Sequence, residues 1–169
     1  MLKLRPIKAA DIAVIQNWAA YPPEFEELDY ALRSNGWLDE HRNKPDTWLY
    51  VAKQAGEVIA FTLLSKSSAT EAEFRIALCA DCIGRGLGKT ITAMMLAKGF
   101  TEMQLDRIHL IVRKNNLRAI SLYKNIGFTE CGECVLFVNG KLVNFLEMDI
   151  LATTASGREW RFEKVDRCQ

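Results

Sequence analysis

The 169-residue sequence contains no apolar run of the roughly eighteen residues that a membrane-spanning helix needs, and a helical span of this kind is excluded. An excess of one charge is also missing. The 22 Lys and Arg residues stand against 21 Asp and Glu, so net charge gives no argument for a broad nucleic-acid or membrane surface. No internal repeat or low-complexity linker divides the chain, whose length suits one domain around a single core. The expected division is one domain over 1–151 and a polar C-terminal tail over 152–169. Met1 to Pro6 lacks the long apolar core of a signal peptide, and the expected compartment is the cytoplasm. Five cysteines, an odd number, fit free thiols there better than a disulfide framework.

Two of the cysteine spacings need weighing. Cys79 with Cys82, and Cys131 with Cys134, use the Cys-x-x-Cys vocabulary of structural zinc. About fifty residues separate the pairs, far from ribbon spacing. Each pair also abuts an apolar run where cysteine behaves as a small hydrophobe. No metal is expected.

Strand and helix signals alternate along the chain. Leu2 to Pro6 reads as an edge strand, followed by a helix from Asp11, an N-cap candidate, to Trp18. Pro22-Pro23 opens a second helix ending near Asn35-Gly36, with Glu24, Glu26 and Glu27 in its first turns. Trp48 to Lys53 and Val58 to Leu64 read as a strand pair, and Glu73 to Cys79 as the next strand. A helix over Gly88 to Met103, a strand over Arg107 to Val112 and a helix over Asn116 to Ile126 follow. Asn139-Gly140 joins a final hairpin, because this dipeptide favours a type I′ turn. A right-handed crossover makes the strands at 73 and 107 parallel neighbours.

Between the strand at 73 and its helix lies Ile83-Gly84-Arg85-Gly86-Leu87-Gly88-Lys89-Thr90, with glycines at alternate positions. Such a loop lets successive N–H groups converge, and the helix dipole adds positive potential at the same point. A phosphate or diphosphate is the expected guest. A Walker A frame would need glycine where Ile83 stands, and too little chain surrounds the unit for a full dinucleotide-binding domain.

A second block, Asn116-Leu117-Arg118-Ala119-Ile120-Ser121-Leu122-Tyr123, continues to Gly127-Phe128 and sets Asn116, Ala119 and Tyr123 on one helical face. Together the two blocks resemble the GNAT superfamily of acyl-CoA-dependent N-acyltransferases, well over Glu71 to Phe128 and loosely before residue 48. The family loop carries Arg or Gln at its first position. Ile83 departs from that pattern and leaves only its main chain to bind.

The resemblance implies an α/β (α+β) fold, with a mixed sheet of about seven strands, about four helices, and a central strand that bulges and splays at the cofactor site. It implies acetyl-CoA as cofactor, its diphosphate on the N–H groups of residues 83 to 90, with Asn116 and Ala119 beside it. The main chain of Ile76, Ala77 and Leu78 would pair with the pantetheine arm, and an N–H near Leu78 would polarise the acetyl carbonyl. The implied reaction is direct attack by a neutral primary amine on the thioester in a ternary complex. Tyr123 is the candidate acid and Glu73 the candidate base, with Glu71 or water as alternatives. His109 reads as a packed strand residue and His41 as an exposed one.

The first two helices would wall the acceptor side. Their aromatic residues and carboxylates suit a cationic amine such as a polyamine, an amino sugar or a peptide amino terminus. Other acceptors would be a protein N-terminus or an aminoacyl-tRNA, the latter needing a basic patch for which Arg113, Lys114, Arg118 and Lys124 are the candidates. A non-catalytic acyl-CoA-binding module is a further alternative. Nucleic acid is not the expected partner, and a homodimer is one candidate assembly.

Overall fold

Period-two apolar patterning between turn signals produces seven strands: β1 (Lys3–Pro6), β2 (Thr47–Gln54), β3 (Glu57–Lys66), β4 (Glu71–Leu78), β5 (Arg107–Arg113), β6 (Thr129–Val138) and β7 (Lys141–Leu151). They form one sheet in the order β1-β2-β3-β4-β5-β7-β6. All neighbours are antiparallel except β4 and β5, which the intervening helical crossover makes parallel. The α-helices are α1 (Ala9–Gln16), α2 (Trp37–His41), α3 (Leu87–Ala97) and α4 (Leu117–Ile126). This computed structural model describes residues 1–153, so the proposed tail lies outside the described residues from 154 onward. No helix among the described residues is long and apolar enough to cross a membrane.

Each face of the sheet buries its own apolar set. Ala72, Phe74, Ile108, Leu110 and Met148 pack on α3 and α4 through Met95, Leu96 and Ile120. Val51, Phe61, Leu63 and Ala77 pack on the opposite layer through Ile15, Leu32 and Leu38. The alternation along β4 therefore sends Phe74 and Ile76 toward α4, and Glu73, Arg75 and Ala77 the other way.

Local chemistry corrects three readings near the N-terminus. Asp11 does not cap α1 from outside; it sits in the first turn, where its carboxylate accepts from the Lys8 N–H at 2.7 Å and pairs with Arg5 at 2.6 Å. The bonded Arg5 guanidinium holds the Asp11 carboxyl below the usual carboxylate range. The segment after Pro22 is a 3-10 helix over Pro23–Leu32 rather than an α-helix. The Arg33 guanidinium ties it down, donating to Asp29 at 2.8 and 2.9 Å and to the Gln16 and Trp18 carbonyls. His41, expected to be exposed, is buried because α2 turns it inward, with Nδ1 2.9 Å from the Trp37 carbonyl.

The decisive feature lies between β4 and β5. Their pairing holds only at Glu71 with Arg107, Ala72 with Ile108 and Glu73 with His109. Beyond these pairs the strands part, although β4 runs on to Leu78 and β5 to Arg113. The expected bulge in β4 is absent, since its register with β3 is regular from Lys66 to Ala60. The opening arises from the divergence of β5.

Candidate functional site

The cradle begins where β4 ends. A short turn over Ala80–Cys82 leads to Gly84 at φ 88° and Gly86 at φ 77°, conformations that a residue with a Cβ adopts only with strain. Helix α3 starts at Leu87 and receives no side-chain cap from Gly86. Its first-turn N–H groups are thus available to an outside acceptor, and the helix dipole favours an anion there. A methyl group on Gly86 would meet nothing within 4 Å, so open space lies above the loop.

A cavity of about 340 Å³ runs from this loop into the opening between the strands. Ile83, Gly84, Gly86 and Gly88 form one end; Ile76, Ala77 and Leu78 form one wall; Asn116, Ala119 and Tyr123 of α4 form the other. The two sequence blocks therefore meet around one space. Arg85, Leu87, Lys89 and Thr90 are not part of its wall. The sequence reading missed Arg118, Thr92 and Cys82 in the lining, along with Phe25 and Tyr21 from the layer before β2.

Strand alternation decides which main-chain groups face the opening. The Cys79 N–H donates to the Ile59 carbonyl of β3 at 2.8 Å, which sets the odd residues of β4 to pair with β3 and the even ones to face away. Ile76 and Leu78 thus present their main chain to the opening, and Ala77 does not. Of the three proposed arm-binding residues, Ala77 contributes wall only. The Leu78 carbonyl accepts a hydrogen bond from the Tyr21 hydroxyl at 2.6 Å.

Asn116 caps α4, its Oδ1 accepting from the Ala119 N–H at 3.2 Å, an arrangement worth about 1 kcal/mol. Tyr123 lies further along α4, edge-on to Phe74 and Phe128 with ring centroids 6.4 and 5.6 Å away. Burial raises its phenol above the ordinary value, so it stays protonated at neutral pH. Among the described residues its hydroxyl has no hydrogen-bond partner, a proton donor left free inside a cavity.

Glu73 stands at the fork where β4 and β5 part, on the sheet face opposite α4, and its carboxylate pairs with Arg75 at 2.6 Å. It does not line the cavity, and the fold does not bring it against Tyr123. Glu71 shares its face and lies 3.5 Å from Arg107. His109, partner of Glu73 across the last paired position, is bonded to Ser67 at 2.8 Å and held below its ordinary pKa by burial and then by Arg107. The two cysteine pairs sit on β6 and after β4, with β5 and β7 between those strands.

A second, larger groove adjoins this cavity at the same fork, the two sharing Tyr30, Trp37, Ile76, Ile111, Tyr123 and Phe145. Carboxylates Glu26, Glu27, Asp29 and Glu40 line it with Tyr30, Trp37 and Phe137, outnumbering Arg33 and Arg75 in the same wall, and it reaches Ile76 and Tyr123. Tyr123 therefore belongs to both spaces. The 3-10 segment and its entry straddle the opening, tied to β4 through Tyr21 and to β5 through Glu27, whose carboxylate lies 3.6 Å from Arg113.

The protein-family model described as "Acetyltransferase (GNAT) family" matches residues 12–128. Spermidine N(1)-acetyltransferase of Vibrio cholerae is 35% identical over 168 residues, covering 89% of this chain and 92% of that protein. Its counterpart in Escherichia coli K12 is 29% identical over 88% of this chain and 85% of its own length. A solved structure of the Vibrio cholerae spermidine N-acetyltransferase with CoA and spermine aligns with a TM-score of 0.72 at 25% identity, covering 90% of this chain and 96% of that one. A dodecameric structure of that enzyme aligns with a TM-score of 0.73 at 26% identity over 94% and 98%.

Proposed function

We infer that this chain, which belongs to the GNAT acetyltransferase family, acetylates a terminal amine of a linear polyamine. It is an N-acetyltransferase that uses acetyl-CoA and a primary amine, as its family and relatives establish. The polyamine is supported by one observation above the others: the acidic, aromatic groove meets the cradle cavity at Tyr123. A chain of ammonium groups separated by methylenes matches carboxylates interleaved with rings.

The residues fit the coenzyme. Converging N–H groups of the loop and first turn of α3 would hold its diphosphate, and the main chain of Ile76 and Leu78 would pair with its pantetheine arm. Bound there, the coenzyme supplies an acetyl group activated as a thioester. The Leu78 N–H would polarise the acetyl carbonyl. Tyr123 would give its proton to the departing sulfur. Glu73 would take a proton from the substrate ammonium through water, its carboxylate lying outside the cavity wall, and so leave a neutral amine to attack.

The RNA-linked alternative loses its support. Of the four cations considered for a backbone-binding patch, Arg113 lies beside Glu27, Lys114 is 2.6 Å from Glu133 and Lys124 is 2.8 Å from Glu130. We place the reaction in the cytoplasm and in a multimer of this chain. The dodecameric relative supports assembly, as does the β6–β7 hairpin, where Phe137 and Leu142 are each 73% exposed.

The test is a transfer assay across spermidine, spermine, an amino sugar and a short peptide amine. The polyamines should exceed the others in kcat/KM by about tenfold or more, and Glu26→Gln with Glu40→Gln should raise the polyamine KM without changing the acetyl-CoA KM. Equal rates on the peptide amine would overturn the assignment.

A further inference from the structure

Almost every arginine among the described residues has an acidic partner. Arg5 pairs with Asp11, Arg33 with Asp29, Arg42 with Asp39, Arg75 with Glu73, Arg107 with Asp149 and Arg113 with Glu27. Two do not, Arg85 and Arg118, and both lie at the glycine loop. Arg85 belongs to the loop itself but stays outside the cavity wall, whereas Arg118 lines the cavity from the first turn of α4.

The position of Arg118 is specific. A methyl group on Gly84 would come within 3.0 Å of a terminal guanidinium nitrogen of Arg118, and the guanidinium carbon lies 5.9 Å from the Phe25 ring centre. The fork is thus held against the loop backbone on one side and an aromatic ring on the other, with no carboxylate to neutralise it. A guanidinium placed over a ring keeps N–H groups free to bond an anion.

Ile83 supplies no side-chain donor at the position where the family loop carries Arg or Gln. We propose that Arg118 takes over that missing contribution, binding the diphosphate of the coenzyme from α4 across Gly84. The charge comes from the helix one crossover later instead of from the loop. Glycine at 84 then serves two ends, the turn at φ 88° and the room for the guanidinium. This proposal rests on the coenzyme-binding reading of the cradle.

Calorimetric binding with three probes separates the possibilities: CoA, dephospho-CoA, which lacks the 3′-phosphate, and pantetheine, which lacks the diphosphate. If the unaltered protein failed to bind CoA, the reading of the cradle itself would fall. Given that binding, Arg118→Ala is expected to weaken CoA and dephospho-CoA alike by about tenfold or more, leave pantetheine unchanged, and flatten the salt dependence. Ile83→Arg should add little to the unaltered protein and restore affinity to Arg118→Ala. Undiminished affinity in Arg118→Ala, or a loss confined to CoA, would overturn the assignment to the diphosphate. Arg118 is exposed on the helix surface, and alanine suits a helical position, so the variant retains the fold.

Discussion

Replacing Tyr123 with phenylalanine is expected to lower the turnover number by about one to three orders of magnitude and leave the affinity for acetyl-CoA unchanged. The ring does the packing, against Phe74 and Phe128, and the substitution keeps the ring. Only the hydroxyl is removed. That hydroxyl has no partner among the described residues and faces the place where the two spaces meet. Its loss therefore breaks no hydrogen bond in the free protein, and the stability of the variant should match that of the parent within a few tenths of a kcal/mol. The measurement is steady-state kinetics on spermidine with binding of acetyl-CoA followed separately. Unchanged turnover would remove Tyr123 from the acid role.

Gly86→Asp is expected to abolish coenzyme binding at concentrations that saturate the parent, a loss of about a hundredfold or more in affinity. Two effects add. The carboxylate would stand in the open space above the loop, where nothing lies within 4 Å, and would repel the diphosphate there. A Cβ at φ 77° also strains the turn by about 1–2 kcal/mol. Gly86→Ala carries the strain without the charge, so its smaller loss of affinity measures the first effect by difference. Undiminished CoA affinity in Gly86→Asp would refute the cradle.

Much of this site was legible in sequence because the chemistry lies in short local patterns. Asn116, Ala119 and Tyr123 share a helical face by spacing alone, and the Asn116 cap uses a bond three residues long. Glycines at 84 and 86 announce positive φ in the same way. What the sequence hid depends on contacts between distant segments. His41 is buried because a one-turn helix follows Gly36, where any side chain would collide with the Tyr30 carbonyl. Arg118 reaches Gly84 across the space between α4 and the loop, a proximity that no spacing rule encodes. The parity that turns the Ala77 main chain toward β3 follows from a register fixed by a partner strand. A usable signal existed for Arg118: a cation inside the Asn116 block, in a chain whose loop lacks one at Ile83.

The order of chemical events depends on whether a cavity residue can carry the acetyl group. Cys82 lines the cavity and Cys79 lies 2.7 Å from it, so an acyl-cysteine route has to be considered. Cys79 stands outside the cavity wall, and burial, together with the hydrogen bond to Cys82, pushes its own thiol up to about 12, so Cys79 is a poor nucleophile at neutral pH. Two spaces that join at Tyr123 instead favour both substrates bound at once. Initial-rate kinetics with acetyl-CoA and spermidine varied together test this most directly. Intersecting double-reciprocal lines, with no CoA released before the amine is added, are the predicted result; parallel lines with a burst of free CoA in the absence of amine would contradict it.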